Sequence, residues 1–537
     1  MIGADQSSRR PVLRIVLPEV APLAYDSFPW VGDSLRYWAR EAPDRVALSE
    51  GGTVFSYRKL EALVEATRQR LAERGVVPGD RVLIVLENSA LAVVAILAVC
   101  RLRAWAVPLN ARLSAREVDA IRAHCAPKLS IYTTGVSAEA GAHARRHEAG
   151  DDHLFEALGG QIAAARTSVA EPAGQDPTSQ VAALIYTSGT TGAPKGVMLT
   201  HDNLGFISGR SSTCRRLSPA DRVYAVLPFS HVFGLASVML GTLYQGGRLD
   251  LAPRFVPEEA ARALEQDGIT VFQGVPQMHA RLLALAKARG RPIAAPVLRY
   301  TTAGGAPLDL GLKRQIEAMW GIPLHNGYGM TEASPTISTT VIDRPADDHA
   351  CGHPLPDVEV RIAGPDGSVL PEGEVGEIRV KGRLVMRGYY RDPEQTALTI
   401  VDGWLRTGDL GRLVAGDLYV EGRLKEVIIR SGFNVYPAEV ETVLTSHPDV
   451  AIAAVVGRPV AGNEDIVAFV QPVPGRTLEI DDLSTFVRSR LAPYKRPSVY
   501  RILDELPATA TGKIIKSALH DLAGALEPHS DRAPTPP

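Results

Sequence analysis

Apolar segments of two kinds alternate along the chain. Residues 36–40 and 57–74 read as helices, and residues 81–86 (RVLIVL) as a short, nearly all-apolar strand. Residues 90–103 open with the longest uninterrupted apolar run, ALAVVAILAVC, and residues 105–109 read again as a strand. This alternation predicts α/β layers around mostly parallel sheet. The run at 90–100 is roughly half of the ~20 residues a membrane helix needs, so it predicts a buried helix. No fixed-period internal repeat is evident.

The pattern changes near Gly422. Residues 357–417 are rich in short strands separated by Gly/Pro/Asp turns such as Gly364-Pro-Asp-Gly. Beyond them, residues 437–445 and 482–491 read as helices and residues 450–457 and 465–472 as strands, forming a compact α+β unit. The expected division is a loosely structured lead (1–28), a large body of layered α/β subdomains with a β-rich subdomain (29–422), a junction (423–426), a small α+β domain (427–525) and a disordered polar tail (526–537).

Composition narrows the function by exclusion. The 537 residues exceed a single core, and 45% apolar with 22% charged residues is ordinary for a globular enzyme. A net charge of −2 and a pI near 6.7 provide no field that would gather nucleic acid or anionic lipid. Cys100, Cys125, Cys214 and Cys351 are scattered without CxxC pairs, which argues against zinc or a disulfide framework and for a reducing cytoplasm. Arg14 and Glu19 interrupt the only apolar stretch near the N-terminus, so no secretory signal is expected.

Four segments carry candidate chemistry. Tyr186-Thr-Ser-Gly-Thr-Thr-Gly-Ala-Pro-Lys-Gly-Val197 follows a strand-like stretch. Its glycines (Gly189, Gly192) open backbone N–H groups to phosphate oxygens, Thr187, Ser188, Thr190 and Thr191 add hydroxyl donors, and Lys195 adds a charge. Lys195 does not directly follow the second glycine, so this is not a Walker A loop. Asn326-Gly-Tyr-Gly-Met-Thr-Glu332 offers Tyr328 to stack on a purine, Thr331 to donate to a phosphate, and Glu332 as a hard oxygen ligand for Mg²⁺. Trp404-Leu-Arg-Thr-Gly-Asp409, followed by Gly422-Arg-Leu-Lys-Glu426, places a carboxylate in a glycine turn, where it can hold ribose hydroxyls or merely cap the turn. Pro507-Ala-Thr-Ala-Thr-Gly-Lys513 carries a lysine on a glycine hinge. That lysine is either solvated or delivered onto developing negative charge.

In this order and spacing, from about residue 30 to about 520, these segments resemble the adenylate-forming superfamily of acyl- and aryl-CoA synthetases, firefly-type luciferases and peptide-synthetase adenylation domains. The resemblance implies ATP, Mg²⁺ and coenzyme A as co-substrates and cofactor, a carboxylic acid as substrate, and a mobile small domain. It implies that the Thr187–Gly196 loop cradles pyrophosphate, that Gly304, Gly305, Ala306 and Tyr328 sandwich adenine, and that Thr331 touches the α-phosphate. Glu332, with Thr187, would serve Mg²⁺, and Asp409 and Arg423 the ribose. Lys513 would bridge the reacting groups, Lys425 would be the hinge, and Gly432 would line the pantetheine tunnel. A carrier protein acting in trans and a homo-oligomer are left open.

The acid pocket is expected around residues 227–235 (LPFSHVFGL), Gly304, Gly305 and Gly327. Residues 223–247 contain no Asp or Glu to pair an ammonium, which argues against α-amino acids, and no Lys or Arg for a second carboxylate. His231 either lines the pocket near the carboxylate or pantetheine, or is a core histidine bonded to backbone. Val427-Ile-Ile-Arg430 and the following run to Glu441 resemble bacterial fatty-acyl-CoA synthetases more than coumarate-CoA ligases, placing medium- or long-chain fatty acids first and aryl acids second. Small glycines at 304, 305 and 327 are expected to leave room for either.

Overall fold

The computed structural model describes residues 23, 26–164, 168–188, 194–430, 433–460, 463–473, 475–508 and 514–526. Two sheets dominate the large body. The first orders its strands Gly388–Tyr389, Pro194–Thr200, Val181–Ser188, Trp105–Asn110, Arg81–Leu86, Leu129–Tyr132 and Gln161–Ala164, with the central pairs parallel. The second runs His353–Pro354, Thr336–Thr339, Leu324–Gly329, Tyr300–Ala303, Val271–Gly274, Arg222–Ala225, Arg248–Leu251, Val46–Glu50 and Thr53–Ser56. It is parallel from Leu324–Gly329 through Val46–Glu50 and antiparallel at its edges.

Side-chain alternation explains why these strands read as continuous apolar runs. In Arg81–Leu86, Val82, Ile84 and Leu86 face a central core, while Leu83 and Val85 face outward onto Val118, Ile121 and Ala140 of the covering helices Ala115–Cys125 and Ala138–Arg146. The second sheet does the same, with Val223, Ala225 and Val271 inward and Tyr224 and Phe272 outward. The central core holds helices Tyr57–Glu73, Ala90–Arg101 and His201–Cys214, packed between the sheets. Residues 90–100 are buried around the whole helix circumference. The helix ends two residues earlier than the sequence suggests, because Arg103 turns left-handed (φ 56°). The Arg103 and Ala104 amides then bond back to the Cys100 and Val99 carbonyls. Arg81 is fully buried and donates to the carbonyls of Gly79, Cys125, Ala126 and Val169 at 2.8–3.2 Å, so its desolvation is offset.

The β-rich subdomain orders Glu359–Ala363, Gly376–Lys381, Trp404–Val414 and Ile400–Val401, with Asp417–Arg423 paired to Trp404–Val414. After it comes a single helical turn, Leu424–Glu426, and then the small domain. The small domain's sheet of Val450–Val460, Asn463–Pro472 and Val499–Ile502 is covered by helices Pro437–Thr445, Ile480–Arg488 and Lys516–Gly524. The helix expected at 482–491 is shifted toward the N-terminus, where Asp481 and Asp482 occupy the first turn and favour the positive end of the helix dipole. Lys516 donates to Glu426 at 2.8 Å and lies 2.9 Å from Glu441. Burial disfavours its charge, but the two carboxylates outweigh that and raise its pKa.

Ser27, Phe28 and Leu526, which fall within the expected loose ends, make defined contacts. The Ser27 amide donates to the Tyr244 hydroxyl at 3.1 Å, the Phe28 ring packs edge-on against Tyr244 at 5.0 Å, and Leu526 packs on the small-domain core. The rest of the lead and tail lies outside the described residues. No described helix is long and apolar enough to cross a membrane.

Candidate active site

Gly304, Gly305, Ala306, Gly327, Tyr328, Thr331 and Glu332 lie at or just beyond the carboxyl ends of two neighbouring parallel strands in the second sheet, where open α/β sheets bind ligands. Tyr300–Ala303 delivers Gly304, Gly305 and Ala306. Its neighbour Leu324–Gly329 contains Gly327 and Tyr328 and leads to the turn Thr331–Ala333. Ala303 pairs with Asn326, which sets the Gly304 turn beside Gly327. Gly304 and Thr331 are buried, whereas Gly305 and Ala306 are exposed.

Two polar clusters form here from residues distant in sequence. The Tyr328 hydroxyl donates to Asp409 Oδ2 at 2.6 Å, and Arg423 Nε lies 3.4 Å from Asp409 Oδ1. Cross-strand register makes the second contact, since Asp409 and Arg423 are direct partners. Burial, and then the Asp409 carboxylate, keeps the Tyr328 phenol protonated. In the second cluster the Tyr389 hydroxyl donates to Glu332 Oε1 at 2.8 Å, and Lys195 Nζ sits 5.3 Å from the centre of the Tyr389 ring. Burial, then Glu332, raises the Tyr389 phenol pKa in the same way.

Tyr389 stands outside the four motifs that carry candidate chemistry. It lies on Gly388–Tyr389, which pairs with Pro194–Thr200, while the neighbouring Met386 amide bonds to the Glu332 carbonyl at 2.9 Å. The segment therefore ties the hairpin of Val181–Ser188 and Pro194–Thr200 in one sheet to the Glu332 turn of the other. The only sequence signal was a tyrosine pair directly after a glycine. Thr187 pairs with Lys195 across the hairpin. The Ser188 side chain and Gly189, Thr190, Thr191, Gly192, Gly432 and Lys513 lie outside the described residues. Lys425 is exposed within the turn Leu424–Glu426.

The fully buried, core alternative for His231 does not hold. The residue is exposed, and its Nδ1 accepts the Phe233 amide at 3.3 Å, an arrangement that leaves the proton of a neutral imidazole on Nε2. His231 thus precedes the π-helix Phe233–Leu240, a rare conformation that recurs at functional sites. The expectation that the glycines leave room for substrate also changes. A Cβ on Gly304 would stand 3.1 Å from the Phe233 ring, and one on Gly327 would stand 3.1 Å from the Ser338 carbonyl oxygen. At both positions a Cβ would press on protein atoms, so a side chain there would need its neighbour to give by a few tenths of an ångström. Gly305 instead has φ +79°, with its nearest neighbour Val275 at 3.8 Å.

Residues 35–390 match the AMP-binding enzyme family, and residues 439–513 match the AMP-binding enzyme C-terminal domain. The chain belongs to the AMP-binding enzyme family. A feruloyl-CoA synthase of Amycolatopsis sp is 37% identical over 486 residues, covering 89% of this chain and 96% of that protein. A long-chain-fatty-acid–CoA ligase of Bacillus subtilis is also 37% identical, over 352 residues, covering 64% and 62% of the two chains. Among solved structures, the o-succinylbenzoate coenzyme A synthetase of Bacillus subtilis, in complex with ATP and magnesium ion, matches with TM-score 0.77 and 31% identity. That match covers 90% of this chain and 98% of that one. This AMP-binding enzyme is an AMP-forming acid–thiol ligase, with ATP and coenzyme A as co-substrates and Mg²⁺ as its metal.

Among the described residues, no group of three or more His, Cys, Asp or Glu could hold a metal ion unaided. A single carboxylate, Glu332, oriented by Tyr389, fits Mg²⁺, which is commonly held by one or two carboxylates together with substrate phosphates.

Proposed function

We propose that the protein activates an aromatic monocarboxylic acid as its acyl-adenylate and transfers the acyl group to coenzyme A. The packing of Phe233 on Gly304 carries this reading. An aromatic wall beside the Gly304 turn, in a stretch without charged residues, suits a flat ring and obstructs an extended alkyl chain at that point. The near-complete coverage of the feruloyl-CoA synthase, against partial coverage of the fatty-acid ligase, supports the same order. The fatty-acid preference suggested by residues 430–441 therefore becomes the second reading.

In the proposed division of labour, Asp409 and Arg423 hold the ribose, and Tyr328, Gly304, Gly305 and Ala306 flank the adenine. Thr187, Lys195 and Thr331 contact phosphates, and Glu332 holds Mg²⁺, which supplies positive charge to the phosphates. His231 Nε2–H faces the acid or thiol. The small domain would turn about Lys425, bringing Lys513 to the carboxylate for the first step and Gly432 to the pantetheine for the second. Attack of a carboxylate on an α-phosphate brings two anions together, so these groups act by electrostatic stabilisation.

AMP release should be measured with coenzyme A and a panel of cinnamate-type, benzoic and C8–C16 fatty acids. Preference for fatty acids that rises with chain length would overturn the aromatic assignment. Equal transfer to a pantetheinylated carrier protein would overturn free coenzyme A as the preferred acceptor. Two variants test individual groups. Phe233→Ala should shift the preference toward longer acids, because each newly buried CH₂ gains about 0.8 kcal/mol, or roughly fourfold in kcat/KM. Glu332→Gln should raise the Mg²⁺ concentration needed for half-maximal exchange by about tenfold or more, as expected when a charged oxygen ligand is removed.

A further inference from the structure

Asn88 lies in the polar break Glu87-Asn-Ser89 between the strand Arg81–Leu86 and the helix Ala90–Arg101. Such a break between two buried elements places polar groups in the interior, and Asn88 is 1% exposed. Its backbone is pinned on both sides. The Glu87 amide donates to Thr133 Oγ1 at 3.1 Å, Ser89 Oγ caps the helix by accepting from the Ala92 amide at 3.2 Å, and Glu50 accepts from the Ala90 amide at 3.1 Å.

From this fixed base on the first sheet, the Asn88 side chain reaches the second. Nδ2 donates to the Ala225 carbonyl at 3.0 Å and the Leu227 carbonyl at 2.9 Å, and Oδ1 accepts from the Phe229 amide at 2.9 Å. These three groups lie where the chain leaves the strand Arg222–Ala225. Immediately beyond them the His231 amide bonds to the Pro228 carbonyl at 3.0 Å, the Phe233 amide bonds to His231 Nδ1, and the π-helix begins. Gly234 fits under the same turn, since a Cβ there would stand 2.2 Å from the Pro228 oxygen. The 227–233 segment is thus held at its entry by Asn88 and at its exit by the π-helix.

We propose that Asn88 is a positioning residue for the acid pocket. By clamping the exit of the strand Arg222–Ala225 it sets where His231 and Phe233 meet the substrate carboxylate and ring. Asparagine suits the task because a planar amide supplies two donors and an acceptor at once. Aspartate accepts without donating, and alanine does neither. Leaving the opposed buried backbone groups without these partners releases the segment. The proposal rests on the reading that residues 231–233 line the acid pocket.

The test uses full-length Asn88→Ala and Asn88→Asp beside His231→Ala and Phe233→Ala. It reads the KM for the preferred acid, the KM for ATP, and hydrogen exchange of residues 225–235. For both Asn88 variants the acid KM should rise about tenfold, about 1.4 kcal/mol, while the ATP KM stays within about twofold. Exchange should accelerate in residues 225–235. Should Asn88→Ala fail to fold, Asn88→Asp, which retains an acceptor for the Phe229 amide, provides the readout. Its acid KM should also recover as pH falls, because a protonated carboxyl can again donate to a carbonyl. Equal rises in both KM values, or an unchanged acid KM while His231→Ala and Phe233→Ala raise theirs, would overturn the clamp and leave the pocket reading standing. If none of the four variants moves the acid KM, the pocket reading itself falls and the clamp falls with it.

Discussion

Lys513→Ala is expected to slow acyl-adenylate formation by about 10²-fold or more, the scale of loss when a preorganised charge donor is removed from a transition state. The carboxylate and the α-phosphate repel each other, and in the proposed mechanism Lys513 would add to the charge that moderates this repulsion. Ala508 and Ile514 pair as an antiparallel bridge, and the Ile515 amide bonds to the Pro507 carbonyl at 2.8 Å. Lys516 is held by Glu426, in the turn Leu424–Glu426, and by Glu441 of the helix Pro437–Thr445. The base of the Lys513 segment is therefore tied to the turn about which the small domain is proposed to rotate, so the two would move as one body. Thioester formation from a supplied acyl-adenylate should retain most of its rate in Lys513→Ala, because under the proposed rotation that step would use a different face of the domain. ATP–pyrophosphate exchange and single-turnover thiolation measure the two half-reactions separately. Equal loss in both would argue against the rotation.

The layered α/β body was legible in the sequence because strands covered on both faces, such as 81–86, cannot hide their composition, and because a helix buried all round, 90–100, has none of the polar stripe of a surface helix. Helix ends were less legible. Arg103 stops its helix through a left-handed turn that neither glycine nor asparagine announces. In the site, residues within one motif could be read together, but contacts between motifs could not. Asp409 meets Tyr328, and Glu332 meets Tyr389, only because two sheets and the β-rich subdomain converge there. The glycines illustrate a further limit. Absence of a side chain at 304 and 327 suggests space for substrate, yet the Phe233 ring and the Ser338 carbonyl stand 3.1 Å from where each Cβ would be. A one-dimensional pattern shows that a side chain is missing, but not which atoms lie where its Cβ would stand.

Asp409→Asn is expected to raise the KM for ATP by about 10- to 10²-fold, corresponding to about 1.5–3 kcal/mol for hydrogen bonds to a charged acceptor, with the acid KM nearly unchanged. An ionised carboxylate accepts at both oxygens and can take two ribose hydroxyls, whereas an amide must turn its NH₂ toward one of them. Asp409 is well placed for this, since it is 9% exposed, with Tyr328 bonded to Oδ2 and Arg423 beside Oδ1. The same contacts allow a competing explanation in which Asp409 serves only to orient the Tyr328 ring. Tyr328→Phe separates the two. It removes the phenol's bond and keeps both the ring and the carboxylate, so a ribose-binding Asp409 predicts a much smaller rise in ATP KM than in Asp409→Asn. A 2′,3′-dideoxy analogue of ATP provides the complementary measurement. If Asp409 grips the ribose hydroxyls, the wild-type enzyme should lose affinity for the analogue, and Asp409→Asn should lose little more. Equal effects of Tyr328→Phe and Asp409→Asn, together with indifference of the wild type to the missing hydroxyls, would make Asp409 a tyrosine anchor and leave ribose recognition to other groups.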